Sequence, residues 1–132
     1  MSHMEVTLRA ALLDWLAADP GLAAQLNAIV EEAPSRTSLP WLAIAASASA
    51  DWSCKSNPGR EVRIALELHC RGDQPSAAAE LVSAIEDGIA AFPPDQGAFR
   101  VVTTQFLRAR AEQRGESSRA ILLEYRCRLL AA

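Results

Sequence analysis

An imidazole, a thiol, a guanidinium and a carboxylate crowd into the five residues His69, Cys70, Arg71, Gly72 and Asp73. A thiol becomes a nucleophile when an imidazole lies within hydrogen-bond reach, and Cys/His sets can hold zinc. Both chemistries depend on where the side chains point. From Glu61 to Arg71 the chain alternates strictly. Val62, Ile64, Leu66, Leu68 and Cys70 share one face, and Arg63, Ala65, Glu67, His69 and Arg71 share the other. That period of two is a half-buried strand. Neighbouring side chains on a strand leave opposite faces, so Cys70 points to the core and His69 away from it. The expected roles are a core thiol and a surface imidazole. Cys54 and Cys127 add no close paired spacing of the kind zinc sites use, and the Arg-Gly-Asp at 71–73 reads as a turn. The six glycines form no phosphate-cradling pattern. The acidic pairs Glu31/Glu32 and Glu86/Asp87 read as solvated. No catalytic residue, cofactor or metal ligand is therefore expected.

The elements that would position these residues follow from periodicity. Glu5 to Ala18 carries Leu8, Leu12, Leu13 and Leu16 at helical spacing. Asp19 and Pro20 suit the cap and first position of a second, short helix reaching to about Ile29. Pro34 and Pro40 punctuate a loop. Trp41 to Ser49 reads as a strand with Leu42, Ile44, Ala46 and Ala48 on one face. A polar turn centred on Asn57, Pro58 and Gly59 leads into the alternating strand. Pro75 to Ala91 is helical, with Leu81, Val82, Ile85, Ile89 and Phe92 as its buried stripe, and the two prolines at 93 and 94 end it. Phe99 to Ala109 and Arg119 to Leu130 read as a hairpin, the first strand apolar on both faces. The expected fold is α+β, in the order α(α)ββαββ. It consists of a mostly antiparallel four-stranded sheet with two main helices on one face.

The 132 residues fit one domain, and 50% hydrophobic with 22% charged residues is ordinary globular composition. Residues 1–3 read as a remnant of an expression vector and residues 4–132 as the domain. Three cysteines form no even set and read as reduced thiols of a cytoplasmic protein. The longest uncharged stretch, 37–50, is too short and polar to span a bilayer.

The charge distribution points outward. Residues 60–95 hold three arginines against seven acids, a balance of -4; residues 96–132 hold seven arginines against three acids, a balance of +4. A domain with one acidic and one basic segment can dock head to tail with its own copies, and such contacts close into rings. Leu122, Val102 and Phe106 add a second candidate contact on the exposed sheet face. The formal net charge of -3 argues against the basic hairpin as a nucleic-acid site.

Four segments carry a resemblance: "LRAALLDWLAADPGLAAQL", "LPWLAIA", "REVRIALELHCRGDQPSAAAELVSAIEDGI" and "SSRAILLEYRCRLLA". Together they resemble the small tail-completion, or tail-terminator, proteins of long-tailed phages, prophages and gene transfer agents. "IVEEAPSRTSLP" and the Trp52- and Cys54-bearing residues 50–60 depart from that pattern. The resemblance implies a non-enzymatic virion protein, assembled in the bacterial cytoplasm and carried in the particle at the head–tail joint. Its copies would form a ring, typically a hexamer, that caps the tail tube and joins it to connector proteins of the head, with DNA only passing through the lumen and no membrane contact. The interface expected on charge is Arg108, Arg110, Arg126 and Arg128 against Glu80, Glu86 and Asp87 of a neighbour. Trp52 and Lys55 are expected to meet the tube or the lumen. The alternative is a ferredoxin-like small enzyme or ligand-binding domain.

Overall fold

A computed structural model describes residues 3–73, 75–115 and 117–132. The elements are α1 (Met4–Ala17), α2 (Pro20–Gln25), β1 (Ile29–Val30), β2 (Trp41–Asp51), β3 (Gly59–Arg71), α3 (Pro75–Ala90), β4 (Phe99–Gln113) and β5 (Ser118–Ala131). They build one five-stranded sheet in the order β1-β2-β3-β5-β4. β1 runs parallel to β2; the other junctions are antiparallel. The expected α+β class holds, but the sheet is five-stranded and mixed. A two-residue strand carries no periodicity, so β1 left no signal.

The short second helix ends earlier than its composition suggests. Asp19 caps α2 by accepting from the backbone N–H of Gly21 at 2.9 Å and Leu22 at 3.4 Å. Leu26 then turns extended, at φ -99 and ψ 131. Asn27 is drawn to the loop that follows: its N–H donates to Pro40 O at 2.8 Å and its Nδ2 to Ser38 O at 2.8 Å. These tertiary bonds pull 26–30 out of the helix and lay Ile29 and Val30 against Leu42 and Ala43.

One layer of core lies between the helices and one face of the sheet. The even-numbered residues of β3, Val62 to Cys70, are buried as alternation predicts. Leu8 and Leu16 of α1, Leu22 of α2, Ile85 and Ile89 of α3 and Leu123 and Leu129 of β5 join them, all fully buried. Removing such side chains from water is the main stabilising term for a domain of this size. Trp15, on the outer side of α1, donates its indole N–H to Gly88 O of α3 at 2.8 Å and ties the two helices together.

Three irregularities change which residues share a face. β2 shifts register between Ile44 and Ala46, and β4 between Val101 and Thr103 and again between Phe106 and Arg108. One extra residue inverts the parity of everything after it. Ser47 and Ser49, not Ala46 and Ala48, therefore continue the helix-side face from Leu42 and Ile44; the alanines fall on the open face. Phe106 pairs with Tyr125, a core residue, so it lies on the helix side of the sheet, just beyond the helices, and is 45% exposed. β4, read from the sequence as apolar on both faces, is largely exposed beyond Val101.

Gly59 is required where β3 begins. A Cβ there would lie 2.4 Å from Trp52 O and 2.7 Å from Leu129 O, both backbone atoms. The close approach lets Trp52 N–H donate to Gly59 O at 3.0 Å and Ser53 Oγ accept from Gly59 N–H at 2.9 Å, which fixes the root of the 52–58 loop.

Candidate assembly surface

The open face of the sheet is a lattice of charges set by register. Cross-strand pairing puts Glu61 beside Arg128, Arg63 beside Arg126, and Glu124 beside Arg108. Side chains complete these pairs. Arg108 holds Glu124 with two bonds, Nε at 2.8 Å and Nη2 at 3.1 Å. Arg128 reaches Glu61 at 3.2 Å. Arg110 pairs with Glu112, and Arg114 bridges Glu112 at 3.2 Å and Glu67 at 3.7 Å. Arg126 donates to the uncharged Gln105. It sits directly opposite Arg63, a like-charge pair that costs stability in an isolated sheet. The Arg108 guanidinium, by hydrogen bond and then by charge, holds the Glu124 carboxyl below the usual carboxylate range. The predicted arginines thus all lie on the open face, but Arg108, Arg110 and Arg128 each already have a carboxylate of their own chain. Arg63 and Arg114 belong to the same surface, and the alternation of β3 signalled Arg63.

The predicted acids are placed elsewhere. Glu80, Glu86 and Asp87 lie on α3, across the sheet from the arginines. Burial, with the charges of Glu86 and Asp87 beside it, pushes the Tyr125 phenol up to about 12. Trp52 does not project freely: the Arg128 guanidinium sits 5.5 Å from its ring centroid. Lys55 is exposed in the same loop.

His69 and Cys70 fall on opposite faces, as the alternation requires. His69 stacks on Trp41 at 3.9 Å and bonds Glu67, whereas Cys70 is 4% exposed in the core and burial pushes its thiol up. The two do not form a nucleophile–base pair. Residues Ala46, Ala48, Arg63, Ala65, Leu107, Arg108 and Glu124 line a shallow concavity of about 300 Å³ on the open side, where the β2 and β4 bulges face each other across the sheet.

Both long edges of the sheet are open over most of their length. β1 covers β2 only at Leu42 and Ala43. The 94–96 segment covers β4 only at its start, through Val101 N–H to Pro94 O at 2.7 Å and Gln96 N–H to Phe99 O at 3.0 Å. The remaining edges, Ala45–Asp51 and Val102–Gln113, are exposed apart from the half-buried Leu107 and Glu112.

A domain that offers charge and strand edges has the surface of an assembly part, and comparison decides the kind. The model of one protein family, described as tail completion protein gp17, matches residues 10–130. The chain belongs to that family. The resemblance carried by the four sequence segments is therefore borne out, and with it the coarse function, a structural component of a phage or gene-transfer-agent tail. Among solved structures, a chain of the virion of a native gene transfer agent particle has the same fold at 23% identity and a TM-score of 0.80, with 100% of each chain covered. No curated protein matches the chain.

Proposed function

We propose that this tail completion protein caps the tail tube as a ring of sister copies, typically six, and joins the tube to the connector proteins of the head. The family match over residues 10–130 carries the reading. The open sheet edges and the arginine-rich face support it, because they are surfaces for protein contact. DNA passes through the lumen without being held. A ring that captured phosphates would gain affinity with each contact and slow passage, and a formal charge of -3 suits a smooth conduit. Assembly takes place in the bacterial cytoplasm, and the finished ring stays in the particle.

Within that reading, Arg108, Arg110, Arg126 and Arg128 contact acids of an adjoining subunit. Glu80, Glu86 and Asp87 can serve only where one copy lays its open face on the helices of the next, since they lie across the sheet. Trp52 and Lys55 mark the loop that meets the tube or the lumen. Deleting the chain tests the function: tubes of uncontrolled length, unattached to heads, are expected by electron microscopy. Tubes of regular length joined to heads in its absence refute the reading. Reversing Arg108 and Arg110 to Glu tests the interface. Loss of incorporation into particles is expected, and unchanged incorporation refutes the role of these arginines.

A further inference from the structure

The two open edges of the sheet fit each other. From β2 through β3 and β5 to β4 every junction is antiparallel, so β4 runs opposite to β2. A second copy in the same orientation, set edge to edge, brings its β2 antiparallel to the first copy's β4. The new junction repeats the pattern of the old ones.

The rows of the sheet show where they would meet. Ala50–Glu61–Arg128–Thr103, Ser49–Val62–Cys127–Thr104, Ala48–Arg63–Arg126–Gln105 and Ser47–Ile64–Tyr125–Phe106 are four consecutive rows that cross from one edge to the other. Each row begins at β2 with Ser or Ala and ends at β4 with a larger uncharged residue. Thr103–Phe106 is the regular stretch between the two β4 bulges, and Ala46–Ala50 is the regular, uncharged stretch of β2 beyond its own bulge. Natural proteins usually guard exposed edges with charge, proline or bulges; neither segment contains any of these, and Arg9 and Arg60 reach the Ser47 and Ser49 side chains at 3.3 and 3.5 Å. Their side chains match in size, large against small, with Phe106 facing Ser47 and Gln105 facing Ala48 on matching faces.

Closure of a ring requires unlike edges to meet. Beyond Phe106 the Leu107 bulge interrupts the regular pairing of β4, and Arg108 and Arg110 fall in the rows that cross to Ala46 and Ala43, next to β1. Glu31 and Glu32 follow Val30 there, at the end of the β2 edge whose rows run across to Arg110 and Arg108. Glu31 is held by Arg9 at 2.6 Å, and Glu32 is exposed. Pairing β4 with another β4 would instead be a two-fold contact that ends at two copies and leaves each β2 edge open.

We infer that copies of this chain join edge to edge, with Thr103–Phe106 of one pairing antiparallel with Ser47–Ala50 of the next, so that one sheet runs continuously around the ring. The inference rests on the ring reading above and adds its geometry. It places Glu32, not the α3 acids, near the arginines of the next copy; Glu31 is held by Arg9 on the helix side. Four rows make a short junction, so isolated copies associate weakly and closure around the tube completes the ring.

Disulfide trapping in purified particles tests it. In a Cys54→Ser, Cys127→Ala background, Ser49→Cys with Thr104→Cys places one thiol on each edge; Cys127 is removed because its Sγ lies 4.0 Å from Thr104 Oγ1 and would capture a thiol there. Within a copy they are three strand spacings apart, about 14 Å, beyond the reach of a disulfide. Oxidation is therefore expected to give a covalent ladder of dimers, trimers and larger species, while either single variant stays monomeric. Ser47→Cys with Thr104→Cys covers a slip of two residues. A single variant that forms dimers and nothing larger overturns the inference in favour of a two-fold contact. So does the absence of a ladder from both pairs while electron microscopy shows the ring, and the ring reading then survives. A chain missing from particles that have complete tails overturns both.

Discussion

Replacing Gly59 with alanine should damage this protein more than any other glycine-to-alanine change for which steric room can be compared. The added Cβ would lie 2.4 Å from Trp52 O, where ordinary contact begins at 3.4 Å, so about 1 Å of backbone movement is needed. Both obstructing atoms, Trp52 O and Leu129 O, are main chain, and Leu129 is fully buried in the thirteen-pair ladder between β3 and β5. Neither can rotate away as a side-chain tip can. Overpacking of this kind costs roughly 2–3 kcal/mol. At about 3–5 °C per kcal/mol for a chain of this size, Tm should fall by roughly 6–15 °C. Gly72→Ala is the control, because its added Cβ meets nothing closer than 3.7 Å, and it should change stability by less than about 0.5 kcal/mol. Thermal unfolding followed by circular dichroism reads both. A Gly59→Ala melting point within 1 °C of the parent, or an equal loss in Gly72→Ala, refutes the steric argument. Because Gly59 anchors the 52–58 loop, the variant should also lose the Trp52–Arg128 contact, seen as a change in tryptophan emission.

Three further outcomes follow from the titrating groups. Tyr125 is the sole tyrosine and its phenol is pushed up to about 12, so absorbance of the folded protein should show no phenolate near pH 10; the native state then binds the proton more tightly than the unfolded chain, and stability should decline as pH rises from about 10 through 12. Of the three thiols, Cys54 is exposed and lowered by its hydrogen bond to Ser56, while burial raises Cys70 and Cys127; a thiol reagent should label one cysteine quickly and the other two only on unfolding. The Glu124 carboxyl, held low by Arg108, should return to the ordinary carboxylate range in Arg108→Gln, read by NMR titration. Its small stabilising contribution is present above the ordinary carboxylate pKa and lost as pH falls through the lowered value; the pair is exposed, so the melting point should barely move.

The strand was legible from Glu61 to Arg71, two residues short of its start at Gly59, because alternation over eleven residues fixes the face each side chain takes. That alone separated His69 from Cys70. The capped start of α2 was legible for a similar reason: Asp-Pro acts within one turn of chain. β1 was not legible, since Ile29 and Val30 become a strand only through the bonds of Asn27 to Ser38 and Pro40. Nor were the bulges. "LAIAASASA" reads equally well with either parity, because alanine and serine differ too little in burial preference to mark a face.

The sequence by itself determined the α+β class, the main helices and strands, which face of β3 is buried and the family. Each of these depends on short-range periodicity or on local capping, which the chain carries in its own order. Tertiary structure alone decided that Arg108, Arg110 and Arg128 are matched with Glu124, Glu112 and Glu61, that α3's acids lie across the sheet from them, and that two uncharged edges stand open in the same four rows. These facts depend on register between segments far apart in sequence, where one inserted residue turns every later side chain to the other face.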